Sequence, residues 1–269
     1  INQTSPMRIG MGQLLVEGGE PERNLDRAAE MVREAADKNC DLVLLPECLD
    51  LAWTHDSSLT EAKSVPGPYS DRICQLAREF NIHICCGLTE WDSGAVFNVA
   101  ILVNELGEIL LKYRKINVLE VARGMYGTGQ SLSVVDTRFG KIGVNICSDN
   151  YQDSLDIGYV LARMGAQVIL SPSSWTSDYS VTEPEGAYGK KWLVPFLKLA
   201  KLFDLVIVNA TSVGTVVGGP YQGKKMVGCS LAVGPSGILA EGKYNEFAGE
   251  LVVVSFPIPQ LRRTGTVIS

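Results

Sequence analysis

The sequence has no long hydrophobic run and contains only two histidines. Its longest unbroken apolar runs, such as Leu42–Leu45 and Leu251–Val254, fall far short of the roughly 20 residues that cross a bilayer, so no membrane partner is expected. The 24 basic residues are outnumbered by 30 acidic ones, which gives a formal net charge of −6. Because a phosphate backbone needs a basic face, we expect no nucleic-acid partner either.

Paired cysteines at metal-ligand spacing are also missing, although the chain has seven cysteines. An odd number of thiols, most of them in apolar segments, is typical of reduced core cysteines, so we expect a cytoplasmic protein. With two histidines and no Cys-x-x-Cys pair, a zinc site is not expected. His55 lies in a polar loop and His83 in an apolar strand, so neither is predicted to act as a catalytic base.

Short β-rich runs alternate with helical stretches, and no repeat or linker divides residues 1–269, so a single domain is predicted. Two hairpins imply antiparallel strand pairs, and the helix–strand units imply parallel ones, which together predict mixed sheets covered by helices. The predicted helices are Glu22–Lys38, Ser70–Phe80, Ser154–Met164 and Lys190–Phe203. The predicted strands are Arg8–Gln13, Asp41–Leu45, Ile82–Leu88, Val96–Val103, Glu108–Tyr113, Leu132–Asp136, Lys141–Ile146, Gln167–Ser171, Leu205–Ala210, Cys229–Val233, Ile238–Glu241 and Glu250–Val254.

The segment from Gly218 to Lys225 nearly spells a phosphate-binding loop. Its last position should be Ser or Thr to hold magnesium, but it is Lys225. The sequence that follows reads as a strand, so no helix N-terminus would face a phosphate. We therefore reject a phosphate-binding role.

Three reactive residues follow predicted strands: Glu47, Lys115 and Cys147. A thiol with a reference pKa near 8.5 needs activation, and a partly buried carboxylate can accept its proton. An ammonium group can stabilise the thiolate, and it can face the oxyanion when the sulfur attacks a carbonyl carbon. Together the three residues predict acyl transfer without histidine.

The segments around these residues resemble the three signatures of the nitrilase superfamily of carbon–nitrogen hydrolases. They read Leu44-Leu45-Pro46-Glu47, Tyr113-Arg114-Lys115 and Gly143-Val144-Asn145-Ile146-Cys147-Ser148-Asp149. The resemblance implies an α-β-β-α sandwich with two mixed sheets covered by helices. It implies Glu47 as general base, Lys115 as stabiliser of the oxyanion, and Cys147 as a nucleophile that forms a thioester. It implies no metal or organic cofactor.

Further site residues are predicted around this core. The resemblance favours Glu120 as a second catalytic glutamate, with a solvated loop residue as the alternative. The backbone N–H of Ser148 and the side chains of Asn150 and Trp175 are expected to contact substrate, although Trp175 is equally compatible with a core aromatic. Asp149 is expected to support the turn behind Cys147 rather than to react.

The residues after Cys147 resemble the amidase and carbamoylase branch, because the Trp-Glu of nitrilases is replaced by Ser148-Asp149. No arginine follows to hold a substrate carboxylate, so this segment gives an acidic substrate no support. The expected substrate is a small linear amide or N-carbamoyl amine. The alternatives are a non-catalytic scaffold member and acyl transfer to an amine. Pairing into a homodimer or a higher even oligomer is expected through Ser154–Met164 and Pro257–Ser269.

Overall fold

The computed structural model describes residues 5–180 and 187–261. Within these ranges the strands are β1 (Met7–Gln13), β2 (Leu42–Leu44), β3 (His83–Asp92), β4 (Ala95–Val103), β5 (Ile109–Arg114), β6 (Val134–Thr137), β7 (Gly140–Val144), β8 (Val168–Ser173), β9 (Thr176–Ser177), β10 (Val206–Thr211), β11 (Val213–Thr215), β12 (Lys225–Val227), β13 (Leu231–Gly234), β14 (Gly237–Glu241) and β15 (Glu250–Phe256). The α-helices of the same ranges are α1 (Pro21–Asp37), α2 (Ser58–Glu61), α3 (Pro68–Phe80), α4 (Leu155–Arg163) and α5 (Ala187–Phe203).

Two six-stranded sheets form the centre of the fold. The strand order is β15-β1-β2-β3-β4-β5 in the first sheet and β14-β13-β10-β8-β7-β6 in the second. Each sheet has parallel strands at its centre, β1–β2–β3 and β7–β8–β10, and antiparallel pairs towards its edges. The carboxyl ends of the parallel strands within each sheet therefore lie at the same edge, which is where loops commonly carry function.

Alternate side chains of each strand face different layers, as the pleat of a strand requires. Leu42 and Leu44 of β2 are buried between the two sheets, whereas Val43 packs into the core beneath α1 and α3. On the outer face of the second sheet, Leu161 of α4 and Phe196 of α5 are fully buried. These layers confirm the predicted α-β-β-α sandwich.

The first helix shows why the sequence prediction worked. α1 begins at Pro21, a residue that fits the first helical turn because its missing N–H has no partner there anyway. Leu25, Ala28 and Val32 recur at spacings of three and four and are buried on one stripe. The observed bounds differ from the predicted ones by one residue at each end.

Some elements were not predicted. β3 continues to Asp92 and forms a hairpin with β4, and a small third sheet joins β11, β12 and β9. β12 begins at Lys225 and confirms that a strand, not a helix, follows the glycine-rich segment. Within the described ranges, no helix has the length and apolar character needed to cross a bilayer. Most of the predicted tail Pro257–Ser269 lies outside the described residues.

Candidate active site

Strand ends from both sheets bring Glu47, Lys115 and Cys147 together. Glu47 lies just beyond β2, Lys115 directly follows β5, and Cys147 lies just beyond β7. The backbone N–H of Glu47 donates a 3.2 Å hydrogen bond to the carbonyl of Ser173 at the end of β8, which joins the two sheets at this edge. All three reactive side chains are buried.

The carboxylate of Glu47 is the centre of the cluster. Its Oε1 accepts hydrogen bonds from Lys115 Nζ at 2.7 Å and from Asn98 Nδ2 at 2.6 Å. Its Oε2 is buried and has no hydrogen-bond partner among the described residues. Because the Cys147 side chain also interacts with this carboxylate, Oε2 is the oxygen left to receive the thiol proton.

The surroundings keep the Cys147 sulfur protonated at rest. Burial raises the pKa of the Cys147 thiol to about 12, and the negative charge of Glu47 adds to the rise, while Lys115 and the backbone amide of Ser174 oppose it. Burial alone would lower the pKa of Lys115, but the negative charge of Glu47, which also accepts its hydrogen bond, raises it above its usual value. The resting site is therefore a thiol beside an ammonium–carboxylate pair, and a nucleophilic role for this sulfur would require the thiol proton to leave.

A sharp turn presents Cys147. Its φ is +45°, in the left-handed region that few non-glycine residues adopt and that often marks functional sites. Behind it, Asp149 Oδ2 accepts a 2.8 Å bond from the backbone N–H of Ile146 and a 2.7 Å bond from the Tyr113 hydroxyl. Asp149 Oδ1 accepts a 2.8 Å bond from the backbone N–H of Asn117. Asp149 thus supports the turn, as expected from the sequence.

The same turn holds the side chains of Ser148 and Asn150 by hydrogen bonds within the scaffold. The Ser148 hydroxyl donates to the carbonyl of Asn117 at 2.7 Å, so only its backbone N–H is available for the predicted role. The Asn150 amide donates to the Cys147 carbonyl at 3.2 Å and to Ser171 Oγ at 2.8 Å. Asn150 therefore braces the backbone of Cys147, and its contact with substrate stays a prediction.

Glu120 is not part of the buried cluster. It begins a one-turn 3-10 helix, Glu120–Ala122, and its side chain is exposed. Within residues 5–180 and 187–261, no hydrogen bond or ion pair joins it to the reactive residues. Its neighbour Leu119 lines the cavity described next, whereas Glu120 itself does not. The role of Glu120 as a second catalytic glutamate stays a prediction.

A cavity of about 310 Å³ opens onto Cys147. Trp175, predicted as either wall or core, is both: it is 1% exposed and lines the cavity. Its ring stacks on Trp192 at 4.4 Å with an interplanar angle of 6°, and its backbone N–H donates to Thr211 Oγ1 at 2.8 Å. The cavity is lined by Trp53, Leu119, Cys147, Tyr151, Ser174, Trp175, Thr176, Ser177, Asp178, Lys191, Trp192, Tyr221 and Lys224.

Several site residues were missed from the sequence. Asn98 matched the family resemblance without an assigned role, and the pairing of β3 with β4 brings it to the Glu47 carboxylate. Trp192 and Lys191 come from α5, and Tyr221 from a loop before β12. Tyr151 could have been predicted as a cavity residue, because it lies only four residues after Cys147. The two histidines lie outside the cavity, and no group of three or more His, Cys, Asp or Glu side chains in the described ranges forms a metal site.

Comparisons with known proteins agree with the geometry. The family described as carbon-nitrogen hydrolase matches residues 8–265. An omega-amidase of Xenopus tropicalis is 29% identical over 178 residues, which cover 62% of this chain and 63% of that protein. A nitrilase of Pyrococcus abyssi is 30% identical over 166 residues, covering 60% and 62%. The chain thus spans less than two thirds of the length of these curated relatives.

Solved structures show the same fold. An amidase from Nesterenkonia sp. superposes with a TM-score of 0.81, covering 96% of this chain and 93% of that chain at 22% identity. A variant of that amidase has been solved in complex with butyramide. Another variant carries acrylamide added to its active-site cysteine.

Proposed function

This chain belongs to the carbon–nitrogen hydrolase family, and from that premise we propose that it hydrolyses the C–N bond of a small linear amide through a thioester on Cys147. The observation that supports this most is the buried cluster itself. Glu47, Lys115 and Cys147 meet at the wall of a cavity, with one carboxylate oxygen of Glu47 left unpartnered among the described residues. A scaffold protein would have no need for this cluster.

Acylation begins when the sulfur of Cys147 attacks the amide carbon. The thiol proton passes to Glu47 Oε2 as the C–S bond forms, and the carbonyl oxygen becomes an oxyanion. Lys115 has three N–H donors and uses one on Glu47 among the described contacts, so the others can stabilise that oxyanion. The backbone N–H of Ser148 is the second expected donor. Collapse of the intermediate breaks the C–N bond, and Glu47 returns the proton to the leaving ammonia or amine.

Deacylation repeats the sequence with water. A water molecule gives a proton to Glu47 while its oxygen attacks the thioester carbon, and Lys115 again stabilises the oxyanion. The C–S bond then breaks, the thiolate takes the proton back from Glu47, and the carboxylic acid product leaves. One carboxylate can serve both half-reactions because it returns to the same protonation state after each.

Ammonia release from butyramide tests this function. The wild type should release ammonia, and Cys147→Ala should release none while keeping the wild-type circular dichroism spectrum. Cys229→Ala is the matched control, because Cys229 is also a free thiol but does not line the cavity. Ammonia release by Cys147→Ala, or its loss in Cys229→Ala alone, would refute the assignment.

Residues 1–269 are proposed to form one domain, because both sheets contribute to a shared core. A cytoplasmic location is proposed because all seven cysteines are unpaired thiols. We keep the proposal that no nucleic acid is bound, on the strength of the net negative charge.

A homodimer or higher even oligomer through α4 is proposed because Val160 and Met164, one turn apart, are 44% and 41% exposed. Light scattering should show an even oligomer for the wild type and a smaller species for Val160→Glu/Met164→Glu. A monomeric wild type would refute this.

A further inference from the structure

Asn98 is a polar residue on the face of β4 that points between the two sheets. Ala100 and Leu102 share this face, because alternate residues of a strand point the same way, and both belong to the core between the sheets. The Asn98 side chain is buried with them. Burial of an amide in such a place is unfavourable unless the amide bonds to a suitable partner.

The two ends of the Asn98 amide differ in their partners. Nδ2 donates a 2.6 Å hydrogen bond to Glu47 Oε1, whereas Oδ1 is buried and has no hydrogen-bond partner in the part of the chain that the structure describes. A buried acceptor without a partner is unfavourable for folding. An apolar residue would therefore serve the core better, and the bond to Glu47 is the contact that accounts for an asparagine here.

The backbone of Asn98 contacts the reactive cluster as well. Its carbonyl accepts a 2.9 Å hydrogen bond from the backbone N–H of Lys115, whose own carbonyl accepts one from Gly129 at 2.8 Å. Asn98 therefore holds both charged residues of the cluster, Glu47 through its side chain and Lys115 through its main chain.

Both side-chain donors bind the same carboxylate oxygen. Oε1 of Glu47 accepts from Asn98 and from Lys115, and Oε2 is left for the thiol proton. The last torsion of a glutamate is broad and roughly two-fold, and a lysine ammonium is a mobile donor on a flexible stem. Lys115 alone would therefore hold the carboxylate plane loosely, whereas the short side chain of Asn98 on a buried strand fixes it.

From these contacts we propose that Asn98 is a positioning residue, which holds Oε1 of Glu47 and thereby presents Oε2 to the Cys147 thiol. Asn98 acts through Glu47 and not on the substrate, since it does not line the cavity. This role rests on the proposed amide hydrolysis, in which Oε2 takes the thiol proton. A donor bonded to a carboxylate also favours its charged form, so the loss of Asn98 should be visible in the titration of Glu47.

Few groups around Glu47 change charge near neutral pH. The titratable side chains that interact with it are Cys48, Lys115, Cys147 and Tyr151. Burial raises the pKa values of the two thiols and of the phenol, so these three stay neutral at pH 7, and Lys115 stays charged. Burial also raises the pKa of Asp149, which interacts with Lys115, so its titration must be distinguished from that of Glu47.

Steady-state kinetics with butyramide tests the positioning role. Asn98→Ala should lower kcat about 10- to 100-fold, the scale of a misplaced catalytic group. The KM should change little, because Asn98 does not line the cavity. The acidic limb of the pH–kcat profile should move to higher pH, because Glu47 loses a donor that favours its charged form. Asn98→Val, which suits a strand, is a second variant with the same expected results should Asn98→Ala not fold.

Thiol alkylation separates Asn98 from the two charged residues. Asn98→Ala removes no charge beside the sulfur, so iodoacetamide should alkylate Cys147 at pH 8 at about the wild-type rate. Glu47→Gln and Lys115→Ala each remove a charge that shifts the pKa of this thiol and should change that rate. An alkylation rate in Asn98→Ala that changes as much as in Lys115→Ala would overturn the positioning role.

Asn24→Ala is the matched control for lost stability. Asn24 is a fully buried asparagine that does not line the cavity, and its amide donates to the carbonyls of Glu17 at 2.7 Å and Asp50 at 2.9 Å. Urea unfolding should show at least as large a loss of stability as in Asn98→Ala, with the wild-type kcat and acidic limb. An equal loss of kcat in both variants would show that lost stability explains the effect, and would overturn the inference.

Infrared titration keeps the test independent of turnover. The carboxyl band of protonated Glu47 is identified by its absence in Glu47→Gln, which separates it from that of Asp149. Its midpoint should lie at higher pH in Asn98→Ala than in the wild type. An unmoved midpoint, or a wild-type kcat in Asn98→Ala, would overturn the inference and leave the amide hydrolase standing. A moved midpoint in a protein whose wild type releases no ammonia from butyramide would refute the hydrolase and leave Asn98 as the group that holds the Glu47 carboxylate.

Discussion

At the scale of single residues, the chemistry depends on a thiol that is difficult to ionise and that lies beside the ion pair of Glu47 and Lys115. Burial and the Glu47 charge raise the pKa of Cys147, and Lys115 lowers it. Glu47 and Lys115 therefore shift the pKa of Cys147 in opposite directions. This opposition makes their roles separable by experiment, because each substitution should move hydrolysis and thiol reactivity in a different combination.

Glu47→Gln should abolish hydrolysis and yet make the thiol more reactive. Loss of the base should lower kcat by about 10²–10⁴-fold. Loss of the negative charge should lower the pKa of Cys147, because Glu47 raises it and Lys115 remains to stabilise the thiolate. Alkylation of Cys147 by iodoacetamide at pH 7 should therefore become faster, as followed by peptide mass spectrometry. Slower alkylation together with lost turnover would show that the carboxylate does not oppose thiol ionisation.

Lys115→Ala should impair both properties. Loss of one oxyanion donor should reduce kcat/KM by about 10²–10³-fold. The pKa of Cys147 should rise further, because the positive charge of Lys115, which lowers it, is gone. Alkylation at pH 8 should then be slower than in the wild type. The buried Glu47 would also lose its counter-charge and be harder to ionise, so the acidic limb of the pH–rate profile should move to higher pH. Near-normal turnover with an unmoved acidic limb would contradict the proposed cluster.

At the scale of elements, the position of Glu47 depends on how closely β3 approaches the end of β2. Gly87 of β3 donates its N–H to the Pro46 carbonyl at 2.9 Å, and its carbonyl accepts a 3.0 Å bond from the Leu49 N–H. A Cβ at Gly87 would lie 2.5 Å from the Cα of Glu47 and 2.8 Å from the N of Cys48. These obstacles are backbone atoms, so the Glu47 segment would have to shift.

Gly87→Ala should therefore lower kcat/KM by about 10²-fold through misplacement of Glu47. It should also reduce the free energy of unfolding by about 1–3 kcal/mol, the usual cost of overpacking. Gly124→Ala is the control, because a Cβ there meets no atom within 4 Å. Urea unfolding and steady-state kinetics measure both effects. If the two variants behave alike, close packing at Gly87 does not position the base.

The elements also explain which parts of the site could be predicted. Glu47, Lys115 and Cys147 follow strands with strong apolar patterns, so their position at a sheet edge was readable. The predicted strand ended at Leu88, four residues before the observed end of β3, because Thr89 and Glu90 are polar. In the structure Glu90 is buried and forms ion pairs, including a 2.6 Å contact with Arg114 of β5. A contact between two strands cannot be predicted from the sequence of one strand alone.

Substrate contacts were harder to predict than the reactive residues. Asn150 was expected to contact substrate, but in the 3-10 turn after Cys147 its amide bonds to Ser171. The donor expected from Ser148 is its backbone N–H, and the bond of its hydroxyl to Asn117 leaves that prediction untested. Lys191 and Tyr151 meet only because α5 packs near the turn, which local sequence does not reveal.

At the scale of the whole molecule, a buried acid makes stability depend on pH. Burial raises the pKa of Asp50 to about 6, although the backbone N–H groups of Thr89 and Leu51 each donate to it at 2.9 Å. The unfolded chain titrates near 3.9. The folded state therefore holds the proton more tightly, so the stabilising contribution is present below about pH 4 and is lost as the pH rises through about 6.

A comparison with Asp50→Asn isolates this contribution. The free energy of unfolding of the wild type, relative to the variant, should fall by about 1–3 kcal/mol between pH 4 and pH 7. Urea unfolding at several pH values measures the difference, which removes the contribution of other titrating groups. A difference that stays constant over this range would show that Asp50 has a similar proton affinity in the folded and unfolded chains.

The central claim is that the acyl group of the substrate becomes attached to Cys147. Rapid acid quench during turnover of butyramide, followed by peptide mass spectrometry, tests it directly. We expect the acyl mass on the peptide that contains Cys147, appearing before ammonia release becomes linear in time. We expect no acyl mass in Cys147→Ala. Turnover of butyramide without any acyl-Cys147, or with the acyl group on another cysteine, would contradict the account.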